Sequence, residues 1–125
     1  MNGDKFLLDT NILLYISGGK VSIDNLPEGQ FYISFITELE ALSYPSITPD
    51  EEKHIRGLFS EIPIIDITKE IKRHAIEFRK KYNLKLPDAI IAATVFTSGT
   101  ILITNDKVFS QVKEIKIKSI NINTA

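Results

Sequence analysis

Four acidic side chains carry the chemistry that this sequence could perform. Asp9 follows the apolar run Phe6-Leu7-Leu8, and Asp106 comes soon after Ile101-Leu102-Ile103. Glu40 lies a few residues beyond Phe31-Tyr32-Ile33, and Asp88 opens the apolar stretch 89–96. If the runs at 6–8, 31–33 and 101–103 are parallel strands, their carboxyl ends share one edge, where open α/β sheets bind ligands, and Asp88 joins them there if its helix starts at that edge. Carboxylates brought together repel, by roughly 4 kcal/mol per pair at about 4 Å and an effective dielectric near 20. A cluster of this kind calls for protons, basic partners or cations. Mg²⁺ or Mn²⁺ suits it, because hard cations take oxygen ligands. A metal-activated water is a usable nucleophile, and one or two ions can stabilise the attacking and leaving oxygens of a phosphodiester. Asp9, Glu40, Asp88 and Asp106 are therefore expected to act together as metal ligands and as the catalytic set of a phosphodiester hydrolase.

Each acid also has a local explanation. Asp9 could cap the helix that follows it. Thr37 and Glu40 match a capping box, with Glu40 returning to the Thr37 amide. Asp88 could complement the positive end of its helix dipole, and Asp106 could cap a turn over 107–110. Glu38 competes with Glu40, but two residues span about 200° of a helix, so only one can face a given site. No single acid is diagnostic; their joint placement is what favours chemistry.

The elements that must position them follow from the apolar pattern. Strands are expected over 5–9, 30–34, 63–67, 100–104 and 115–122. The first is a continuous apolar run of the kind buried on both faces, and the last alternates Ile with Lys like an edge strand. Helices are expected over 12–17, ended by Gly18-Gly19, from Thr37 to about Pro45, from Pro49 to about Glu61, and from Thr68, a capping residue, to about Tyr82. The stretch 87–98 is apolar nearly all round and should form a helix buried against the sheet. A short helical turn should follow Asp106. Strands alternating with helices imply a three-layer α/β/α fold with a central, mainly parallel sheet of four to five strands.

Composition narrows the function classes. The 125 residues suit one domain with one core, and 43% hydrophobic with 25% charged residues is a globular balance. The chain has no cysteine, which removes disulfides, thiolate nucleophiles and Cys-based zinc sites and fits a reducing cytoplasm. The two histidines, His54 and His74, lie far apart on charged helical stretches, against a His-rich metal site or a Ser-His-Asp triad. Neither a signal peptide nor a membrane span is expected. The net charge of −1 hides an asymmetry: residues 1–66 hold 4 basic and 11 acidic side chains, and residues 67–118 hold 11 basic and 5 acidic. A polyanion could meet the basic second half, with Lys72, Arg79 and Lys80 as possible RNA contacts.

Four stretches carry a family resemblance. Leu7-Leu8-Asp9-Thr10-Asn11 resembles the opening motif of PIN domains, and Ile33-Ser34-Phe35-Ile36-Thr37-Glu38-Leu39-Glu40 resembles their second motif, in which an acid lies three residues after a Thr. That spacing selects Glu40 over Glu38. Leu86-Pro87-Asp88-Ala89-Ile90-Ile91-Ala92-Ala93-Thr94 is the most specific match. Ile103-Thr104-Asn105-Asp106-Lys107-Val108-Phe109 resembles the last motif, with Val108 where an acid is usual. The four motifs cover essentially the whole chain, one PIN-like domain over 1–125, and the compact length is similar to VapC-type toxins of toxin–antitoxin modules. The resemblance implies a Mg²⁺- or Mn²⁺-dependent ribonuclease, often a homodimer, inhibited by a VapB-like antitoxin. It carries over Asp9, Glu40, Asp88 and Asp106 as metal-site acids, and Asn11, Thr104 and Asn105 as polar support. Val108 at the usually acidic position implies one fewer outer ligand.

Two other classes compete. A phosphoryl-transfer domain of receiver or haloacid-dehalogenase type also places an Asp after its first strand, but a dehalogenase-type site needs a second Asp where Asn11 stands. A non-catalytic PIN-like interaction module would keep the fold and have no use for the four acids.

Overall fold

Leu7 points to one core layer while its neighbours Phe6 and Leu8 point to the other, and all three are buried. This period-2 alternation in an unbroken apolar run marks a strand covered on both faces. In the computed structural model, which describes residues 3–122, that run is β1 (Lys5–Leu8), the central strand of the sheet. The termini of the domain expected over 1–125, residues 1–2 and 123–125, lie outside the described residues. The other strands are β2 (Gln30–Ser34), β3 (Ile64–Ile65), β4 (Ile101–Ile103) and β5 (Ile117–Lys118). Their order is β3-β2-β1-β4-β5, and every pairing is parallel. Parallel pairing requires crossovers, supplied by α1 (Thr10–Ser17), α2 (Phe35–Ser43), α3 (Pro49–Phe59), α4 (Lys69–Tyr82) and α5 (Leu86–Ser98). A 3₁₀ turn, Lys107–Gln111, separates β4 from β5.

The helices divide between the two faces. Ile71, Ala75 and Phe78 of α4 join the apolar residues of 89–95 in α5, Leu7 and Leu102 in one layer. Ile12, Leu13 and Ile16 of α1 join Ala41 of α2, Ile55 of α3, Phe6, Leu8, Ile33 and Ile103 in the other. The seven consecutive residues Ala89 to Val95 are all buried, as an all-round apolar helix demands. The result is the expected three-layer α/β/α arrangement, with five strands.

Boundaries differ from the sequence reading where local hydrogen bonds decide them. α2 starts at Phe35 rather than Thr37, because Ser34 accepts from the Ile36 amide and caps it. β5 is only two residues long instead of spanning 115–122. α3 begins with a capping box between Thr48 and Glu51, and Thr68 caps α4 as expected.

Gly29 is needed where β2 is brought beside β1. Its φ is +153°, and a Cβ there would meet the Asp4 carbonyl oxygen at 2.6 Å and the Phe6 ring at 2.7 Å. The neighbouring Gln30 amide donates to that same carbonyl at 3.0 Å, so the backbone cannot move aside freely. Gly29→Ala should therefore destabilise the fold by about 1–3 kcal/mol, as overpacking does. Urea denaturation measures this; an unchanged midpoint would mean the loop yields without loss.

Candidate active site

The carboxyl ends of β1, β2 and β4 lie at one edge, and the four acids reach it from four different elements. Asp9 follows β1 directly, and its amide donates to the Ile103 carbonyl at the end of β4 at 3.0 Å. The residue stands at the N-cap of α1, but its side chain makes no capping hydrogen bond there. Instead the Thr104 hydroxyl donates to Asp9 Oδ2 at 2.7 Å, across 95 residues of sequence. Asp9 is 6% exposed. Burial pushes its carboxyl above the ordinary 3.8, the Thr104 hydroxyl and the Thr10 backbone pull it back, and Asp106 and Glu40 push it up further.

Glu40 is held by a relay of hydroxyls. Thr10 Oγ1 donates to Glu40 Oε1 at 2.8 Å. Since that uses the Thr10 proton, the 2.9 Å contact between the Thr10 and Thr37 hydroxyls runs from Thr37 to Thr10. Both threonines are buried. The capping-box explanation of Glu40 does not hold, because Thr37 is inside α2 and Ser34 is the cap. Thr37 still matters: it lies one turn before Glu40 and orients it through Thr10.

Asp88 sits in the first turn of α5, after Pro87, on a helix fixed by its buried face. Its carboxyl is also raised from 3.8, first by burial, then by Asp106, Asp9 and Glu40, with Lys85 pulling down. Asp106 caps the 3₁₀ turn by accepting from the Val108 amide through Oδ1 at 3.0 Å. Its own amide donates to Thr104 Oγ1 at 3.0 Å. Thr104 thus ties the two acids together, accepting from one backbone and donating to the other carboxylate. Val108, at the usually acidic position, packs against the core.

Asp9, Glu40, Asp88 and Asp106 all line one open cleft of about 640 Å³, together with Asn11. The supporting residues expected from sequence divide. Asn11 lines the cleft and Thr104 holds Asp9, whereas Asn105 turns away. Its side chain donates to the Ile120 carbonyl and accepts from the Ile120 amide, clamping the segment after β5. Lys72, Arg79 and Lys80 are not brought to the cleft either. They rim a separate depression of about 490 Å³ floored by Ile67, Ala75, Ile76, Leu86 and Ile90. Sequence reading missed a further wall: Asp50, Glu51 and His54 of α3 face the same cleft. The i, i+4 spacing of Asp50 and His54 puts both on one helix face, which is the signal that could have found them.

In donor chemistry the cleft fits a hard divalent cation: its acids are oxygen donors coupled by mutual repulsion, and none forms an ion pair among the described residues. The side chains are not drawn together onto one point: among the described residues no three His, Asp or Glu groups are gathered tightly enough to grip an ion as they stand.

A profile of the PIN domain matches residues 6–115. Among solved structures, a chain of a toxin–antitoxin complex from Klebsiella pneumoniae is 30% identical, with a TM-score of 0.72 over 87% of this chain and 93% of its own. A chain of the VapBC2 complex from Rickettsia felis bound to a promoter DNA fragment gives a TM-score of 0.82 at 19% identity, covering 94% of this chain and 99% of that one. DNA-bound VapBC from Salmonella typhimurium gives 0.79 at 22% identity, over 93% and 98%. No curated protein matches the sequence.

Proposed function

This chain belongs to the PIN domain family, and from that premise we propose that it is a Mg²⁺- or Mn²⁺-dependent endoribonuclease, the VapC-type toxin of a toxin–antitoxin module. The observation that carries the reading is the convergence of Asp9, Glu40, Asp88 and Asp106 in one cleft from four separate elements. A bound divalent cation would supply charge neutralisation and an activated water for attack on a phosphodiester. The chain's own contribution is to aim and hold the carboxylates. Thr104 fixes Asp9, Thr10 fixes Glu40, the buried α5 fixes Asp88, and the cap geometry leaves Asp106 with a second oxygen for the cleft. Residues locked by packing and hydrogen bonds need little reorganisation when substrate arrives. Incubation with mixed cellular RNA tests the reading: cleavage should require Mn²⁺ or Mg²⁺ and stop with chelator, and intact RNA under both conditions would overturn it.

The orienting role of Thr104 has its own test. Thr104→Val keeps the shape and removes both hydrogen bonds. Metal-dependent cleavage should fall about 10–100-fold, the usual effect of losing an orienting partner of a metal ligand. Full activity would show that Asp9 needs no such support.

The partners in this reading are a cellular RNA, a VapB-like antitoxin and a second copy of the chain, with the cytoplasm as the site of action. The solved relatives are chains of toxin–antitoxin complexes, which supports the antitoxin. No helix among the described residues is long and apolar enough to cross a membrane. Lys72, Arg79 and Lys80 serve in this reading as a backbone contact away from the cleft. Binding to single-stranded RNA should weaken with salt, and K72E/R79E/K80E should flatten the log–log slope by about 2. An unchanged slope would mean that the three cations only solvate α4.

A further inference from the structure

Six carboxylates line the cleft: Asp9, Glu40, Asp50, Glu51, Asp88 and Asp106. Among the described residues no Lys or Arg lines it, and His54 is the one lining side chain able to carry positive charge. An RNA strand brings one negative charge per nucleotide, so the phosphates flanking the scissile one must pass those acids. We propose that His54 is the donor that receives them, a substrate-binding residue holding a non-scissile RNA phosphate at the mouth of the cleft. This rests on the nuclease reading above.

The position of His54 is fixed although its side chain is exposed. Glu51 accepts from the Thr48 amide at 3.0 Å and from the Tyr44 hydroxyl at 3.0 Å, and Ile55 is buried, so α3 is anchored at its first turn and along its inner face. His54 itself makes no hydrogen bond, ion pair or ring contact among the described residues, leaving its ring nitrogens open to a ligand. Of the other side-chain donors lining the cleft, the Thr10 hydroxyl is engaged with Glu40 and the Tyr44 hydroxyl with Glu51, while Asn11 and Ser17 are neutral and bring no charge to offset the acids. Imidazole keeps an N–H to donate in either protonation state.

The surface beyond His54 continues the path. Asp50 and His54 also line a second depression of about 510 Å³ along the outer side of α3, shared with Lys53, Gly57, Leu58 and Glu61. Gly57 has open space where a Cβ would stand, so the helix backbone is bare there. Lys53 forms no ion pair among the described residues. A strand leaving the acids past His54 therefore meets open backbone and then a free cation, whereas Arg56 is paired with Glu52 at 2.9 Å.

Steady-state cleavage of a short oligoribonucleotide in Mn²⁺ tests the assignment. His54→Ala should raise KM about tenfold and leave kcat within twofold, in keeping with the loss of one hydrogen bond to a charged group. His54→Gln, which retains an N–H donor, should recover part of the loss. Gly57→Gln, which fills the second depression, should also raise KM. All three variants should keep the wild-type shift in melting temperature with Mn²⁺. An unchanged KM for His54→Ala would overturn the inference, as would a fall in kcat alone or a lost Mn²⁺ shift. If the wild-type chain cleaves RNA and His54→Ala matches it, only this inference fails; if the wild type cleaves no RNA, the nuclease reading fails and this one with it.

Discussion

Asp9→Asn should abolish metal-dependent RNA cleavage and at the same time leave the metal-free fold at least as stable at neutral pH. The first effect follows from charge. Asn keeps the size of Asp9 and can still accept from Thr104, but it cannot neutralise a divalent cation, so cleavage should drop more than about 100-fold. The second follows from burial. Asp9 is raised above its ordinary value first because it is buried, and the hydrogen bonds from Thr104 and Thr10 do not cancel that. A carboxyl raised in the folded state favours folding below the unfolded value near 3.8, and loses that contribution as pH rises through the folded value. At pH 7 the ionised group therefore opposes folding, and Asn removes the penalty. The stability gap between variant and wild type should open as pH rises from below 3.8 and level off above the folded value. Asp88→Asn should show the same loss of cleavage, with a smaller gain in stability because Asp88 is only half-buried. Retained cleavage in either variant would sink the site; a strongly destabilised Asp9→Asn would make the carboxylate structural.

Mn²⁺ should raise the melting temperature of the wild-type chain and not that of Asp9→Asn. At 100 times its dissociation constant a ligand of the folded state adds about 2.7 kcal/mol, roughly 10 °C for a chain of this size. Protons compete for the same oxygens. Because Asp9 and Asp88 are both raised by burial and by the neighbouring acids, the Mn²⁺ shift should shrink as pH falls toward their folded values. Calorimetry with chelator-treated protein, repeated across that range, measures both. A pH-independent shift would place the ion elsewhere, and no shift at saturating Mn²⁺ would remove the metal from the mechanism.

Much of this molecule was legible in the order of its residues. The unbroken run Phe6-Leu7-Leu8 marked a strand covered on both faces, and it is the central strand. The apolar stretch beginning at Ala89 marked a helix buried all round. Alternating strands and helices implied parallel pairing, and parallel pairing alone puts the ends of β1, β2 and β4 at one edge. Asp9, Glu40 and Asp106 could therefore be placed together, and Asp88 with them if its helix began at that edge. Backbone periodicity and strand direction are local properties, written every two or 3.6 residues, and a sequence displays them directly.

Where the polar side chains point was settled by packing. Thr10 reaches Glu40 across 30 residues, Thr104 reaches Asp9 across 95, and Asn105, adjacent to Thr104, turns instead to Ile120. α3 swings Asp50 and His54 into the cleft, while Lys72, Arg79 and Lys80 rim a different hollow. None of this has a period. Each orientation is settled by which buried hydroxyl or carbonyl lies within about 3 Å once the layers have packed, and the desolvation that raises Asp9 exists only after they have. The order of the residues marked four of the carboxylates that could meet; packing brought Asp50 and Glu51 beside them and set how each is held.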